Sequence, residues 1–167
     1  MTLRVGILTV SDRSSRGERA DVSGPALTGC AQQKGWSVVK QEVVPDDMET
    51  LRRLLVEWAD SKTLDVILTT GGTGFSPRDI TPEATRSIVE RLTPGLDEAM
   101  RAASLVITPH AMLSRSVSGI RGQTLIVNLP GSPKGAVENL DVISPVLQHA
   151  VDLLQQSPDS EKGHLAS

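Results

Sequence analysis

Aromatic residues are scarce in this chain, with two Trp, one Phe and no Tyr among 167 residues. A surface that stacks successive bases of a single strand needs more rings than that. Excess positive charge is also missing: 17 Lys and Arg stand against 20 Asp and Glu, for a net charge of −3. Nucleic acid is therefore not expected as a partner. The single cysteine, Cys30, rules out an internal disulfide framework and a Cys-rich metal site. It falls among small residues on an expected helix, which favours a buried structural thiol over a nucleophile. His110, His149 and His164 are scattered without metal-ligand spacing. No apolar run approaches the ~20 residues of a membrane span. Met1 to Val5 runs straight into a strand, leaving no room for a signal peptide. The expectation is a soluble, cytoplasmic protein without a membrane partner.

What the chain does have is alternation. Arg4 to Val10 reads as a strand, apolar through most of its length and hence central. A polar loop, Ser14 to Ser23, follows. Gly24-Pro25 starts a helix that runs to Lys34 and closes at Gly35. Trp36 to Val44 is a second strand, apolar at Val38, Val43 and Val44. Met48, Leu51, Leu54, Leu55 and Trp58 recur at helical spacing, so Asp47 to Ser61 is an amphipathic helix with an acidic first turn. Leu64 to Leu68 is a third, buried strand.

Helices are expected over Pro82 to Leu92, with Ala84, Ile88 and Leu92 inward, and over Gly95 to Leu105, with Leu96, Ala99, Met100 and Ala103 on one face. Val106 to Ser114, interrupted by Pro109, stays unassigned. Val117 to Ile120 and Thr124 to Leu129 read as a hairpin about Arg121-Gly122. A last helix, Ala136 to Leu154, carries Pro145 as a kink or break. Strands alternating with helices imply a layered α/β fold, its central sheet mostly parallel with a late antiparallel hairpin. Residues 1–155 form one domain on this reading, and 156–167 a disordered tail.

The stretch from Thr69 to Glu83, T-T-G-G-T-G-F-S-P-R-D-I-T-P-E, is the centre of the chain. It connects the third strand to a helix opened by Thr81-Pro82-Glu83: a hydroxyl cap, a proline at the first helical position and an acid in the first turn. Gly71, Gly72 and Gly74 admit positive φ and let a ligand approach backbone N–H groups closely. That is the make-up of an anion site, phosphate above all.

In a parallel sheet, ligands bind outside the carboxyl ends of the strands. Those ends are Ser11-Asp12-Arg13, Pro45-Asp46-Asp47, Gly71 to Asp79, and Pro130 to Gly135. Asp47 is best read as a helix cap, and Asp12 is open between a cap and a ligand contact. Asp46 and Asp79 sit on adjacent connections facing one crevice. Two carboxylates about 4 Å apart repel by roughly 4 kcal/mol at an effective dielectric near 20. Holding them beside a phosphate requires a cation, and carboxylates plus phosphate oxygens are the usual ligands of Mg²⁺. Arg78 and Lys134 are open between phosphate contacts and solvated surface. The glycine spacing fits neither G-x-G-x-x-G nor a P-loop, and Ser132 in P-G-S-P is not a nucleophile elbow. The residues point to a phosphorylated ligand with Mg²⁺ and to phosphoryl or nucleotidyl transfer.

The run Thr69 to Glu83 resembles the signature of the molybdopterin adenylyltransferases, the Mog-type enzymes and gephyrin-like G domains of the MoaB/Mog superfamily. L-T-V-S-D-R (Leu8 to Arg13), V-V-P-D-D (Val43 to Asp47), M-L-S-R (Met112 to Arg115), G-I-R-G (Gly119 to Gly122) and N-L-P-G-S-P-K-G (Asn128 to Gly135) match in order. The resemblance spans Leu3 to Leu154. It implies a three-layer αβα fold and a trimeric enzyme of molybdenum cofactor biosynthesis that adenylylates molybdopterin with ATP and releases pyrophosphate ahead of a molybdate-insertion enzyme. By position, Asp46 and Asp79 are its essential pair and organise Mg²⁺. Thr70, Gly71, Gly72, Thr73, Gly74 and Arg78 cradle the substrates, and Ser11, Asp12, Pro130, Gly131, Ser132 and Lys134 line the crevice. The alternative is a MoaB-like protein that binds the pterin without turnover. Intact R-D-x-T-P (Arg78 to Pro82) and Pro45-Asp46 favour catalysis.

Overall fold

A computed structural model describes residues 2–156. Seven helical segments and six strands follow one another as β1 (Arg4–Val10), α1 (Asp12–Ser15), α2 (Ser23–Gln33), β2 (Ser37–Val44), α3 (Met48–Asp60), β3 (Val66–Thr70), α4 (Thr81–Ile88), β4 (Arg91–Leu92), α5 (Pro94–Ile107), a 3₁₀ turn (Pro109–Leu113), β5 (Ser118–Arg121), β6 (Thr124–Leu129) and α6 (Pro133–Leu154). The strands form one sheet in the order β2-β1-β3-β6-β5-β4. β2, β1, β3 and β6 are parallel, whereas β5 runs antiparallel to β6, and β4 antiparallel to β5. The fold is therefore the expected three-layer αβα arrangement with a late antiparallel hairpin.

Period-two alternation in strands buried on both sides assigns each face its own core. Val5, Ile7, Val66, Leu68, Leu125, Val127 and Leu129 pack under α2, α5 and α6, against Leu27, Met100, Leu140, Ile143 and Leu147. On the other face Leu8, Val10, Ile67 and Ile126 meet Leu51, Leu55 and Trp58 of α3 and Ala84 and Ile88 of α4. The two cores are separated by the sheet. Asn128, fully buried on β6, crosses between elements: its amide donates to Thr69 Oγ1 and Thr85 Oγ1, each at 2.9 Å, and its carbonyl accepts the Val117 N–H.

Several expectations are corrected here. The helix over Pro82 to Leu92 stops at Ile88, because Glu90 N–H and Thr93 N–H donate to Ile120 and Ser118 carbonyls and draw Arg91–Leu92 out as an edge strand. Leu92 is consequently exposed. Thr93, lying before Pro94, is also biased away from helix. β2 is a sheet edge, so Val43 faces solvent while Val44 is buried. α5 extends to Ile107 and buries only Asp97 and Met100; Ala99 points outward. The unassigned stretch divides between the end of α5 and the 3₁₀ turn, which Thr108 caps. Pro145 does not break α6: the Asp141 carbonyl, deprived of its usual partner, accepts the Ser144 hydroxyl at 3.1 Å. The expected tail lies, from residue 157 onward, outside the described residues.

Candidate functional site

The carboxyl ends of β1, β2, β3 and β6 all emerge at one edge of the sheet, and the chain reverses its direction of travel across the sheet between β1 and β3. Crevices in open parallel sheets form at that reversal. Ser11 N–H donates to the Val44 carbonyl at 2.8 Å, which ties the ends of β1 and β2. Beyond it, Asp12 and Asp46 exchange bonds. The Asp46 N–H donates to Asp12 Oδ1 at 3.0 Å, and the Asp12 N–H donates to Asp46 Oδ2 at 2.9 Å.

The glycine loop closes against these ends. Gly71 has φ +103°, and a Cβ there would lie 2.3 Å from the Val10 carbonyl oxygen, so only glycine lets β1 and β3 converge. Gly72, at φ +66°, leaves room that a Cβ would take from Thr81 Oγ1 (2.4 Å) and Asp46 Oδ1 (3.0 Å). Thr81, buried at the start of α4, donates its hydroxyl to the Gly71 carbonyl and its N–H to the Gly72 carbonyl. Asp79 Oδ2 accepts the Ser76 N–H at 3.0 Å and also lies 2.9 Å from where a Cβ of Gly74 would be. On the far side, Thr70 Oγ1 donates to the Pro130 carbonyl, and Ser132 Oγ accepts the Gly135 N–H to cap α6.

Two cavities of about 410 Å³ each open beside this loop. Ser11, Asp46, Thr70, Gly71, Gly72, Asp79, Gly131 and Ser132 line the first, which is polar. The second is walled by α5, the 3₁₀ turn and the start of α6, and receives Thr73, Gly74, Pro130, Ser132 and Lys134. Ser132 belongs to both. Asp12 and Arg78 line neither: Arg78 Nε and Nη2 donate to the two Asp12 oxygens at 2.9 Å each. Asp47 caps α3 through the Thr50 N–H. Cys30 is buried, with its Sγ 3.6 Å from Asp141 Oδ1.

The electrostatics separate the aspartates. Arg78 holds the Asp12 carboxyl below the usual carboxylate range, chiefly through its hydrogen bonds. Burial pushes Asp46 up; the Asp12 N–H bond opposes this, and the nearby Asp12 and Asp79 charges add to it. Asp46 is thus a carboxylate disfavoured by burial and by like charge, which the Arg78 charge offsets only in part. Among the described residues, no group of three or more His, Cys, Asp and Glu could hold a metal ion.

Sequence reasoning missed two arginines. Arg19, on the loop read only as polar, is a cation on the wall of the aspartate cavity. Arg115 donates to loop carbonyls of Thr73, Gly74 and Asp79. Its one signal was the M-L-S-R motif, which marks the residue without stating its role.

The fold recurs in known proteins. Relatives include gephyrin of Dictyostelium discoideum, 46% identical over 93% of this chain, which spans only 23% of that protein. The molybdopterin adenylyltransferase of Helicobacter pylori J99 is 39% identical, covering 92% of this chain and 88% of the relative; that of Escherichia coli K12 is 42% identical over 84% and 73%. Among solved structures, the molybdopterin biosynthesis enzyme MoaB of Thermus thermophilus superimposes with a TM-score of 0.88 at 52% identity, covering 94% of this chain and 99% of the other. The Mog protein of Mycobacterium ulcerans gives 0.86 at 38% identity, over 94% and 99%. Residues 6–149 match the family described as a probable molybdopterin binding domain, and the chain belongs to that family.

Proposed function

We propose that this protein is a molybdopterin adenylyltransferase that uses ATP and Mg²⁺. The observation that carries the reading is the convergence of Asp46 and Asp79 on one cavity beside Gly71 and Gly72. In the reaction, a terminal phosphate oxygen of molybdopterin bonds to the α-phosphorus of ATP, and the bond from that phosphorus to the bridging oxygen of pyrophosphate breaks. Asp46 and Asp79, two carboxylates on one cavity, would hold a hard cation together with phosphate oxygens and water. Mg²⁺, when bound, neutralises charge that builds on the transferring and leaving phosphates. The glycine loop brings both substrates close to its backbone, Arg19 faces phosphate charge, and Ser132 stands where the two cavities meet. Catalysis by this chain is positioning and charge stabilisation, without a covalent enzyme intermediate.

We also read the protein as a cytoplasmic homotrimer that hands its product to a molybdate-insertion enzyme. What supports an assembly is exposed apolar surface: Leu105, Val106, Ile107, Met112 and Leu113 form a run around the end of α5, with Val106 89% exposed. Sedimentation tests it, and a monodisperse monomer at micromolar concentration overturns it. No helix among the described residues is long and apolar enough to cross a membrane.

Incubation with molybdopterin, ATP and Mg²⁺ tests the reaction itself, with adenylyl-molybdopterin and pyrophosphate as the products sought. Asp79→Asn is expected to lower kcat by ~10²–10³-fold. Equal rates in wild type and variant sink the catalytic role of Asp79. Pterin binding without any product favours the binding-only alternative.

A further inference from the structure

Arg115 lines neither cavity, yet it reaches the loop that carries Asp79 from both sides. Residues 75–78 form an exposed excursion between Gly74 and Asp79. One guanidinium brackets it: Nε donates to the Gly74 carbonyl at 2.7 Å, and Nη2 donates to the Asp79 carbonyl at 2.8 Å. The Arg115 main chain adds a third tie, its N–H donating to the Thr73 carbonyl at 2.9 Å. Nη1 pairs with Glu83 Oε1, and Nη2 lies 3.5 Å from Glu83 Oε2. Burial works against the charge on Glu83, but the hydrogen bonds and charge of Arg115 prevail and hold that carboxyl below its ordinary range. The planar fork aims several donors in fixed directions, which a lysine ammonium cannot reproduce.

We infer that Arg115, oriented by Glu83, is a positioning residue that fixes the backbone of the Gly74–Asp79 loop and so aims the Asp79 carboxylate into the aspartate cavity. The inference rests on the proposed role of Asp79. Within the loop, the carboxylate is tied through the Ser76 N–H bond, and that bond lies inside the bracketed excursion. Release of the two flanking carbonyls frees donor, acceptor and carboxylate together. A displacement near 1 Å at a reacting centre costs on the order of 10²-fold in rate.

The test uses Arg115→Lys, Glu83→Gln and the double variant of the full chain, with two readouts. Amide hydrogen exchange at Ser76 and Asp79 is expected to quicken by about tenfold or more in Arg115→Lys, with the strands unaffected. Turnover is expected to lose ~10–100-fold in kcat, with the KM for ATP changed by less than about threefold. Glu83→Gln shifts both in the same direction by less, and the double variant is no worse than Arg115→Lys alone, because the two residues act as a unit. Unchanged exchange at both amides with kcat within about twofold of wild type overturns the inference. If Arg115→Lys does not fold, the same criteria applied to Glu83→Gln decide it. Wild type that shows no transfer sinks the adenylyltransferase reading, and the exchange measurement alone then decides the positioning role of Arg115.

Discussion

Asp12 and Asp46 cap each other across the ends of β1 and β2, each accepting the other's backbone N–H at 2.9–3.0 Å. The exchange gives the two aspartates different tasks. Asp12 also receives the Arg78 fork, whereas Asp46 keeps Oδ1 near Gly72 and lines the cavity.

The contributions at Asp12 rank by burial. Arg78 is 65% exposed, so Arg78→Ala is expected to cost less than about 1 kcal/mol. Asp12→Ala also strands the Asp46 N–H and is expected to cost ~1–3 kcal/mol by urea denaturation. Because Arg78 lowers the Asp12 pKa, this stabilisation is present above the unfolded value near ~3.9 and lost as pH falls through the folded one. Asp12→Asn therefore flattens the acid limb of the stability curve. An unchanged limb refutes the assignment.

At Asp46 the sign is opposite. Its folded pKa is raised, so its contribution is fully present below the unfolded value and lost as pH rises through the folded one. At neutral pH the ionised carboxylate strains the substrate-free protein. Asp46→Asn is expected to melt higher than wild type at pH 7 without divalent cation and to gain less Tm when Mg²⁺ is added. Thermal scans with and without Mg²⁺ check both statements; a variant that melts lower, or gains equally, contradicts them.

Glycine substitutions separate strain from space. Gly71→Ala meets a backbone oxygen at positive φ and is expected to cost upward of ~3 kcal/mol or prevent folding. Gly17→Ala, at φ +73° in open space, carries only the ~1 kcal/mol conformational term. Gly29→Ala, in open space on α2, is expected to stabilise by ~0.5–1 kcal/mol. A different order among the three denaturation midpoints contradicts the packing described.

Asn128 joins β6, β3, α4 and the approach to β5 through three hydrogen bonds in a fully buried setting. Asn128→Ala leaves those partners unsatisfied and opens a cavity, for a loss of ~2–4 kcal/mol. Asn128→Asp, which keeps one acceptor but buries a charge without a cation partner, is expected to be at least as damaging at pH 7 and milder in acid. Equal stability of either variant and wild type at pH 7 refutes this.

Much of the architecture was legible in local pattern. Strands buried on both faces read as apolar runs, and β1, β3 and β6 were found that way. α3 was evident from Met48 to Trp58, and the hairpin from Arg121-Gly122. Failures came where long-range pairing overrode local preference. Leu92 continues a helical stripe, but Ile120 and Ser118 carbonyls recruit the segment to a sheet edge. Leu105 to Ile107 are apolar, and nothing in their spacing says that the surface they face is open within a single chain.

For the site, the residue types and their order along the chain determined that glycines, aspartates and a cap would meet at strand ends, because parallel strands deliver every such end to one edge. Only the tertiary structure decided that Asp12 is neutralised by Arg78 and lines neither cavity. In sequence Asp46 and Asp79 read as a pair facing one crevice, and Asp12 stays open between a cap and a ligand contact. What separates them is whether a cation from a distant segment reaches the carboxylate: Arg78 reaches Asp12, Arg115 reaches only the backbone of Asp79, and no arginine hydrogen bond is made to Asp46.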